Sequence, residues 1–570
     1  MNRTGTETNE SEITMAVFQV DKDRFCINGW LARNAVLQRM WTSWRAVSKR
    51  RPAQPDNGDF ALADKRGSFS KGLKHDGTTG LADPAAFAAF AAALSSKRSA
   101  IFGAIEAIDT SHLGAGNDTR PWANPAGGRA LAVVGGDPQQ FSMPAAPAFG
   151  SDELTFEIAE NYWMAALRDV PFHQYDNHPV AVQAAQELTR LRDTAAAERA
   201  AKGLPAEALA PTDGGAVTAR LLFRGLTPGD RAGPYLSQFL MHPVPFGAQG
   251  FHQRNKTLRP GHDYMTQWDE WLQVQNGTGR SMQPGQFDDD LHYLRNGRDL
   301  SQWVHVDVLF QSYFNACLVL LQGADAASSV GGGIGADWSP SNPYAAVNGA
   351  QRQQGFGTLG DPGHIAMMCE AAPSALLAVW FQKWFVHLRL RPEAYAARID
   401  VERRAPGSFG LPASLMNSMA VAQTVQRHGT ALLPMAFPEG SPMHPSYGAG
   451  HATVAGACVT VLKALFKGDE AFADPVDVVV DDGGHEHIEP YSGDALTIGG
   501  ELDKLASNIA QGRNHAGVHW RSDTTYSLRL GEQVAIRLLE MHARSYAEFA
   551  PGAVVFRFNK FDGSTQTVSA

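Results

Sequence analysis

Cysteine is scarce in this 570-residue sequence, which contains four. Cys26, Cys317, Cys369 and Cys458 are far apart, and none of them belongs to a CxxC pair. Because disulfide frameworks and structural zinc sites both need closely spaced cysteines, the sequence argues against either one. The fold must therefore depend on an ordinary buried core, which the 44% of hydrophobic residues can supply.

Basic charge and long apolar runs are also lacking. Lys and Arg number 49 against 58 Asp and Glu, giving a formal net charge of -9, whereas nucleic-acid binding needs a basic surface. No run of about 18 apolar residues, the length that crosses a bilayer, is present. The polar residues 1–40 do not resemble a secretory signal. We therefore expect a soluble, cytoplasmic protein without nucleic-acid or membrane partners, with export by another route left open.

Strand patterns are few, and helical periodicity dominates. VDVVVDD and ALTIGG, between Val476 and Gly500, are predicted to pair as a small hairpin. Apolar spacing and capping residues predict helices at 30–47, 84–108, 151–170, 179–202, 296–322, 364–390, 412–430, 450–467, 501–513 and 522–547. The predicted fold class is all-α, with helix bundles, long surface loops and at most a small β-hairpin. We predict an N-terminal arm and connector at 1–85 and one helical domain at 86–570, with the candidate site in 383–523.

Three segments in the second half of the chain carry groups suited to an anion. The first contains Lys383 and Arg391, with Pro392 directly after the arginine. Because the residue before a proline tends to end a helix, we expect Lys383 on a helix and Arg391 at its end, about two turns further along one side. Arginine can bind an oxyanion through two N–H groups, and lysine acts as a point charge.

The second segment is HPSYGAGH, residues 444–451, which leads into the apolar sequence ATVAGACVTVLKALF. A glycine-containing turn before a helix presents free backbone N–H groups at the positive end of the helix dipole. Ala449, Gly450 and His451 are therefore predicted to lie beside a bound anion.

The third segment is RNHAGVHWRSD, in which five residues separate Arg513 from His519 and three more separate His519 from Asp523. Asp523 is expected in the first turn of a helix, where its carboxylate can fix the tautomer of the histidine. Together the three segments supply two guanidiniums, an ammonium, a helix N-terminus and two histidines. This set suits a tetrahedral oxyanion such as phosphate or vanadate.

The succession Lys-x7-Arg-Pro, Gly-His-Ala and Arg-x5-His-x3-Asp resembles the signature shared by vanadium haloperoxidases and related acid phosphatases. Longer stretches, among them GPYLSQFLMHPVPFG, DYMTQWDEWLQVQNG and FQKWFVHLRLRPEAY, are more similar to the algal-type bromoperoxidases and their bacterial relatives. The resemblance implies an enzyme that uses vanadate and hydrogen peroxide to oxidise a halide, bromide or iodide foremost, to hypohalous acid. Small organic acceptors would then be halogenated.

The resemblance also implies roles for individual residues. His519 would bind vanadium through a ring nitrogen, Asp523 would orient it, and His451 would act as the acid–base residue. The vanadate oxygens would be held by three cations and one backbone N–H group, those of Lys383, Arg391, Arg513 and Gly450.

One position departs from the family pattern. Family members usually carry Ser-Gly-His where this chain has Ala449-Gly450-His451, so one hydroxyl is missing. A hydrogen bond to a charged group contributes about 1.5–3 kcal/mol, and we expect weaker vanadate retention or altered turnover. Gln382 and His444 are predicted to line the halide side of the pocket.

The resemblance further implies a homo-oligomer, since the algal-type proteins are symmetric assemblies. It also suggests a calcium site in the loop from Asn348 to Asp361. Two other functions stay open: a phosphatase with His519 as nucleophile, and a non-halogenating relative or binding protein, which Ala449 favours. Structural roles are predicted for five residues without an evident partner, His305, Asp307, His364, His387 and His515.

Overall fold

The computed structural model describes residues 51–569 except 114–118, 133–134, 206–208, 325–334, 350–351 and 551, together with most positions from 33 to 44. The predicted helix at 30–47 is helical at those described positions, and its remaining residues lie outside the described part.

Helices account for most of the regular structure in the described residues. In chain order, α1 to α14 are Pro84–Leu94, Ile101–Glu106, Asp152–Ala166, Pro179–Ala201, Trp268–Gln275, Gly297–Val306, Gln311–Ala324, Asp361–Phe381, Pro392–Arg404, Ala413–Met416, Met419–His428, Gly450–Leu465, Ile498–His515 and Arg521–Ser545. The all-α prediction is confirmed. Local capping agrees with the sequence, since the Ser151 side chain accepts from the Leu154 N–H at the start of α3.

The structure corrects several predicted helix bounds. The single helix expected at 296–322 is broken between Val306 and Gln311, where α6 and α7 meet at 96°. The one expected at 412–430 is divided into α10 and α11. Helices α5 and α9 were not predicted. Pro392 is the first residue of α9, a position where the missing N–H costs no hydrogen bond. The proline therefore begins a helix, whereas the sequence had indicated only that it follows the end of one.

In the described residues the strands form four antiparallel pairs rather than the one hairpin predicted. The strands β1 to β8 are Val244–Phe246, Gln249–Phe251, Asn255–Leu258, Phe287–His292, Val476–Val480, Glu486–Pro490, Val555–Asn559 and Thr565–Ser569, paired as β1–β2, β3–β4, β5–β6 and β7–β8. Of these pairs, β3 and β4 are separated by α5. The predicted pairing of VDVVVDD with ALTIGG is wrong, because β5 pairs with β6. Thr497 instead caps α13 by accepting from the Gly500 N–H.

The centre of the domain is the packing of α8, α12 and α14. Every residue of α12 except His451 is buried. Two glycines allow the backbones of α12 and α14 to approach closely. A Cβ added at Gly456 would lie 2.1 Å from the Leu528 carbonyl oxygen, and one added at Gly531 would lie 2.0 Å from that of Thr453. The starts of α12 and α14, which carry the second and third candidate segments, are thereby fixed relative to each other.

Within the described residues, the stretch Asp361–His387 is long and apolar enough to cross a membrane by length and composition, and the bent pair α6–α7 passes the same test together. Asp361–His387 includes α8, which packs against α12 and α14. This packing accounts for its apolar composition. The expected absence of a membrane partner stays a prediction.

The segment before α1 packs onto the helical domain. Phe69 and Leu73 are buried in a cluster with Trp384. The Lys71 Nζ donates to Glu393 Oε1 at 2.8 Å, with both side chains buried. The polar connector expected up to residue 85 thus contributes buried side chains, and the predicted division of the chain there remains a prediction.

Candidate anion site

The first two candidate segments are joined by buried hydrogen bonds. The Lys383 Nζ donates to the carbonyl oxygens of Pro445 at 2.8 Å and Ser446 at 3.0 Å. Arg391 donates from Nε to the His444 carbonyl oxygen and from Nη2 to the His444 Nδ1, both at 2.9 Å. These contacts hold the loop before α12 against the two cations.

Lys383 and Arg391 do not share one helix face as expected. After Phe381 the chain forms a π-helical segment, Gln382–His387, which ends at Leu388 with a left-handed φ of 43°. Arg391 is the extended residue that precedes α9. The wider π turn points Lys383 inward, and the following turn brings Arg391 to the same pocket. π-helical turns of this kind occur frequently at functional sites.

The His519 ring has one defined tautomer. Its Nδ1 lies 2.8 Å from Asp523 Oδ2, and its Nε2 lies 3.0 Å from Arg391 Nη1. A guanidinium can only donate, so Nε2 must accept and Nδ1 must carry the proton. Burial, reinforced by Arg391 and Lys383, lowers the pKa of His519 well below its usual value. The ring is therefore neutral, and its Nε2 lone pair faces the cations.

Asp523 is buried, and several donors hold its carboxylate. Oδ2 accepts from the Ser446 hydroxyl and from the Trp520 N–H at 3.2 Å, in addition to His519. Oδ1 accepts from Arg389 Nη1 at 2.9 Å. The expected placement in the first turn of α14 is confirmed. The two partners Ser446 and Arg389 were not predicted, because neither lies at a helical spacing from Asp523.

Arg513 completes the group of cations from the last turn of α13. Its Nη1 donates to the Val304 carbonyl oxygen at 2.7 Å. Its Nε is buried and has no hydrogen-bond partner among the described residues. Burial lowers the pKa of Arg513 to about 10 and that of Arg391 to about 9, so both remain cations at neutral pH.

The cations repel one another. Burial is the largest cause of the low pKa of Lys383, and Arg391 and Arg513 lower that pKa further while Asp523 opposes them. A bound anion would relieve this repulsion.

The N-terminus of α12 closes the pocket. Gly450 is its first residue, and Ala449 precedes it in an extended conformation without a side-chain cap. The first N–H groups of a helix have no intrahelical partner. A Cβ added at Gly450 would lie 3.3 Å from Trp380 Cζ3. The Ala449 N–H donates to the Ser527 Oγ at 2.8 Å.

His451 has a partner that the sequence did not indicate. Its Nε2 lies 2.9 Å from Asp307 Oδ1, and its side chain is 20% exposed whereas that of Asp307 is 4% exposed. Asp307 had been predicted to have only a structural role. Asp307 directly follows α6, at the break that the sequence did not predict. The partly exposed ring of His451 gives it access to solvent protons.

The two predicted halide residues are in different places. His444 is within the pocket, with its ring 4.9 Å from that of Trp380. Gln382 is turned away from it, since its amide donates to the Phe141 carbonyl oxygen at 3.0 Å and its Oε1 lies 3.2 Å from His387 Nε2. Trp380 borders both Gly450 and His444 and was not among the predicted site residues.

The assembled groups fit a tetrahedral oxyanion. Three buried cations, a helix N-terminus, an unsatisfied guanidinium N–H and a neutral imidazole nitrogen converge, and glycine leaves room at the helix start. Among the described residues, no group of three or more His, Cys, Asp or Glu side chains could hold a metal ion. The three buried cations of the pocket suit an anion.

Comparisons with known proteins agree with this chemistry. A family model described as the VCPO second helical-bundle domain matches residues 364–548. The chain is 34% identical over 587 residues to the vanadium-dependent bromoperoxidase of Corallina pilulifera, covering 90% of this chain and 92% of that protein. It is 33% identical over 524 residues to that of Ascophyllum nodosum, covering 90% and 87%.

A solved structure is similar over the whole fold. The homohexameric second vanadate-dependent bromoperoxidase of Ascophyllum nodosum superposes with a TM-score of 0.84 at 27% identity, and the match covers 100% of this chain and 94% of that one.

Proposed function

Because this chain belongs to the vanadium-dependent bromoperoxidase family, we propose that it oxidises bromide with hydrogen peroxide while vanadate occupies the cation pocket. The product is hypobromous acid or an equivalent, which halogenates small organic acceptors. One observation carries the proposal: a neutral His519 presents its Nε2 lone pair to Arg391 within a buried group of cations.

Each group in the pocket would make a specific contact with bound vanadate. His519 Nε2 would provide the nitrogen for vanadium, in place of its hydrogen bond with Arg391 Nη1. Lys383, Arg391, Arg513 and the Gly450 N–H would hold the oxygens and compensate their charge. When bound, vanadate supplies a Lewis acid that polarises hydrogen peroxide toward attack by the halide, with no change in its own oxidation state.

His451, paired with Asp307, is the acid–base group for proton transfer to and from peroxide. The Asp307 carboxylate accepts from the His451 Nε2–H, so Nδ1 is the nitrogen that exchanges a proton with peroxide and product. His451 lies in the first turn of α12, next to the Gly450 N–H that would hold a vanadate oxygen. This adjacency supports the role of His451 as the proton donor and acceptor for the reacting oxygen.

The first test is vanadate-dependent peroxidase activity. The purified protein is stripped in phosphate-free chelating buffer, orthovanadate is added, and bromination of a colorimetric diketone is followed with peroxide and bromide. We expect activity that requires vanadate and that His519→Ala abolishes. If vanadate binds but no halide is oxidised, the proposal fails. Hydrolysis of a phosphate monoester by the same pocket would then indicate the phosphatase function instead.

Of the two residues predicted to line the halide side, we retain only His444 in the proposal. His444→Ala is expected to raise the KM for bromide several-fold, because it removes a ring that borders the pocket beside Trp380. Gln382→Ala is the matched control, since the Gln382 amide bonds outside the pocket. Steady-state kinetics with bromide and iodide measure the KM of both variants. Equal changes in KM for the two variants would contradict this assignment.

Ala449→Ser is expected to strengthen both the fold and vanadate binding. Serine in the extended residue before α12 can cap the helix, worth about 1 kcal/mol of unfolding free energy. The same hydroxyl can donate to a vanadate oxygen, worth about 1.5–3 kcal/mol. Because one hydroxyl serves both purposes, we expect vanadate affinity to rise about tenfold. Thermal unfolding and vanadate titration measure the two effects, and unchanged affinity would show that Ala449 does not border the anion.

The resemblance also supports a homo-oligomer, and the Ascophyllum nodosum relative is homohexameric. Light scattering on the purified protein would give the size of the assembly. The calcium site expected in the loop from Asn348 to Asp361 stays a prediction, and Asp361, its one carboxylate, lies in the first turn of α8. The cytoplasmic location stays a prediction.

A further inference from the structure

A buried chain of ion pairs extends from the pocket into the domain. Arg389 Nη1 donates to Asp523 Oδ1 at 2.9 Å, and Arg389 Nη2 donates to Glu157 Oε2 at 2.8 Å. All three side chains are at most 2% exposed. Glu157 is on α3 and Asp523 is on α14. Arg389 therefore ties the carboxylate beside His519 to α3, the helix from which the Asn161 Nδ2 also donates to the His519 carbonyl oxygen at 3.0 Å.

The geometry fixes the orientation of the Asp523 carboxylate. Arg389 Nη1 also donates to the Ser522 Oγ at 2.9 Å, and the Ser522 N–H donates to Glu157 Oε1 at 2.5 Å. With Oδ1 held in this way, Oδ2 faces the Nδ1 of His519. A rotation of the carboxylate would break the contact with Arg389 at the same time as the one with His519.

We propose that Arg389, anchored by Glu157, is a positioning residue for vanadate binding. By holding Asp523, it keeps His519 in the tautomer whose Nε2 lone pair faces the anion. The inference rests on the proposed function, and it predicts a property of the vanadate-free protein as well. Outer partners of metal-binding histidines commonly affect affinity in this way.

A second buried pair provides a matched control. Arg521 Nε donates to Glu160 Oε2 at 2.8 Å, and both side chains are 2% exposed. Like Glu157 and Asp523, these residues lie on α3 and α14. The Nη1 of Arg521 donates to the Arg224 carbonyl oxygen at 3.0 Å and not to Asp523. Removing either pair costs α3 one buried ion pair, but only the pair formed by Arg389 and Glu157 touches the histidine's partner.

The experiment compares Glu157→Gln/Arg389→Met with Glu160→Gln/Arg521→Met. Each double variant removes both charges of its own pair. The Glu157→Gln/Arg389→Met variant also takes from Asp523 its arginine partner, and this is the contact that the experiment tests. Orthovanadate affinity of the stripped protein is measured by calorimetric titration. The His519 tautomer is read from imidazole 15N chemical shifts of the vanadate-free protein, assigned with His519→Ala.

We expect the Glu157/Arg389 variant to lose vanadate affinity about 10- to 100-fold and to show a mixed tautomer at His519. The Glu160/Arg521 variant should keep the wild-type tautomer and affinity within about twofold, even if both variants unfold at similarly reduced temperatures. Arg389→Lys keeps a charge beside Asp523 and should restore part of the affinity. If the Glu157/Arg389 double variant does not fold, the single variants Arg389→Lys and Arg521→Lys are compared instead. Vanadate affinity and the His519 tautomer are again the two quantities measured.

Two results would overturn the inference. One is an unchanged His519 tautomer and vanadate affinity without Arg389. The other is an equal loss of affinity in both double variants, which would mean that any buried ion pair of α3 serves equally. Bromide oxidation is not a readout here. A failure of the proposed function would show as vanadate-bound wild-type protein that oxidises no halide, whereas the tautomer experiment tests Arg389 independently of turnover.

Discussion

His451→Gln is expected to keep vanadate bound while bromide oxidation falls about 10²- to 10⁴-fold, the usual contribution of a positioned acid–base group. The loss should be in kcat, because His451 is not one of the buried cations that compensate the anion's charge. Its ring is partly exposed and bonded to Asp307. Steady-state kinetics at saturating peroxide, together with a vanadate titration of the same preparation, separate turnover from cofactor retention.

Asp307→Asn serves as the control for this role of His451. It removes the charge beside Nε2 but leaves the ring in place, so we expect a smaller loss of kcat than in His451→Gln. Unchanged turnover in His451→Gln, with vanadate bound, would show that another group moves the proton. A loss of vanadate equal to the loss of turnover would instead assign His451 to binding.

Asp523→Asn is expected to remove both vanadate binding and activity although the two side chains have nearly the same shape. The new amide can donate toward His519 Nδ1, which must then accept, and the proton moves to Nε2. Nε2–H would face the donating Arg391 Nη1, now 3.0 Å away, and no lone pair would remain for vanadium. The equivalent change in a Ser-His-Asp hydrolase lowers kcat about 10⁴-fold through the wrong tautomer, and we expect a loss of that order here.

Vanadate titration and 15N chemical shifts of His519 measure the effect of Asp523→Asn, and thermal unfolding verifies that the variant is folded. Ser446→Ala is the control, because it removes one donor to Asp523 Oδ2 but leaves the carboxylate and the tautomer. The loss of vanadate affinity and activity in Ser446→Ala should be clearly smaller than in Asp523→Asn. If Asp523→Asn bound vanadate as tightly as the wild type, the tautomer would not control the site.

The sequence predicted the pocket well where its residues are close along the chain. Asp523 follows His519 by only four residues, so the spacing itself implied their contact, which the structure has at 2.8 Å between the residue just before α14 and the first turn of that helix. Gly450 and His451 open an apolar helix, and capping chemistry placed them at its N-terminus correctly. The placement of Lys383 and Arg391 along one helix failed, because hydrophobic periodicity does not reveal a π-helical segment or a left-handed turn at Leu388.

By itself, the sequence determined the helical class, the composition of the anion pocket and the local pairs within it, since these depend on helical periodicity and on capping. Only the tertiary structure decided that Asp307 bonds His451, that Arg389 links Glu157 to Asp523, and that Gln382 turns away. The His451–Asp307 contact spans 144 residues of sequence. Such contacts depend on how packed helices cross and where they break, and those angles arise from close packing throughout the core rather than from any local pattern.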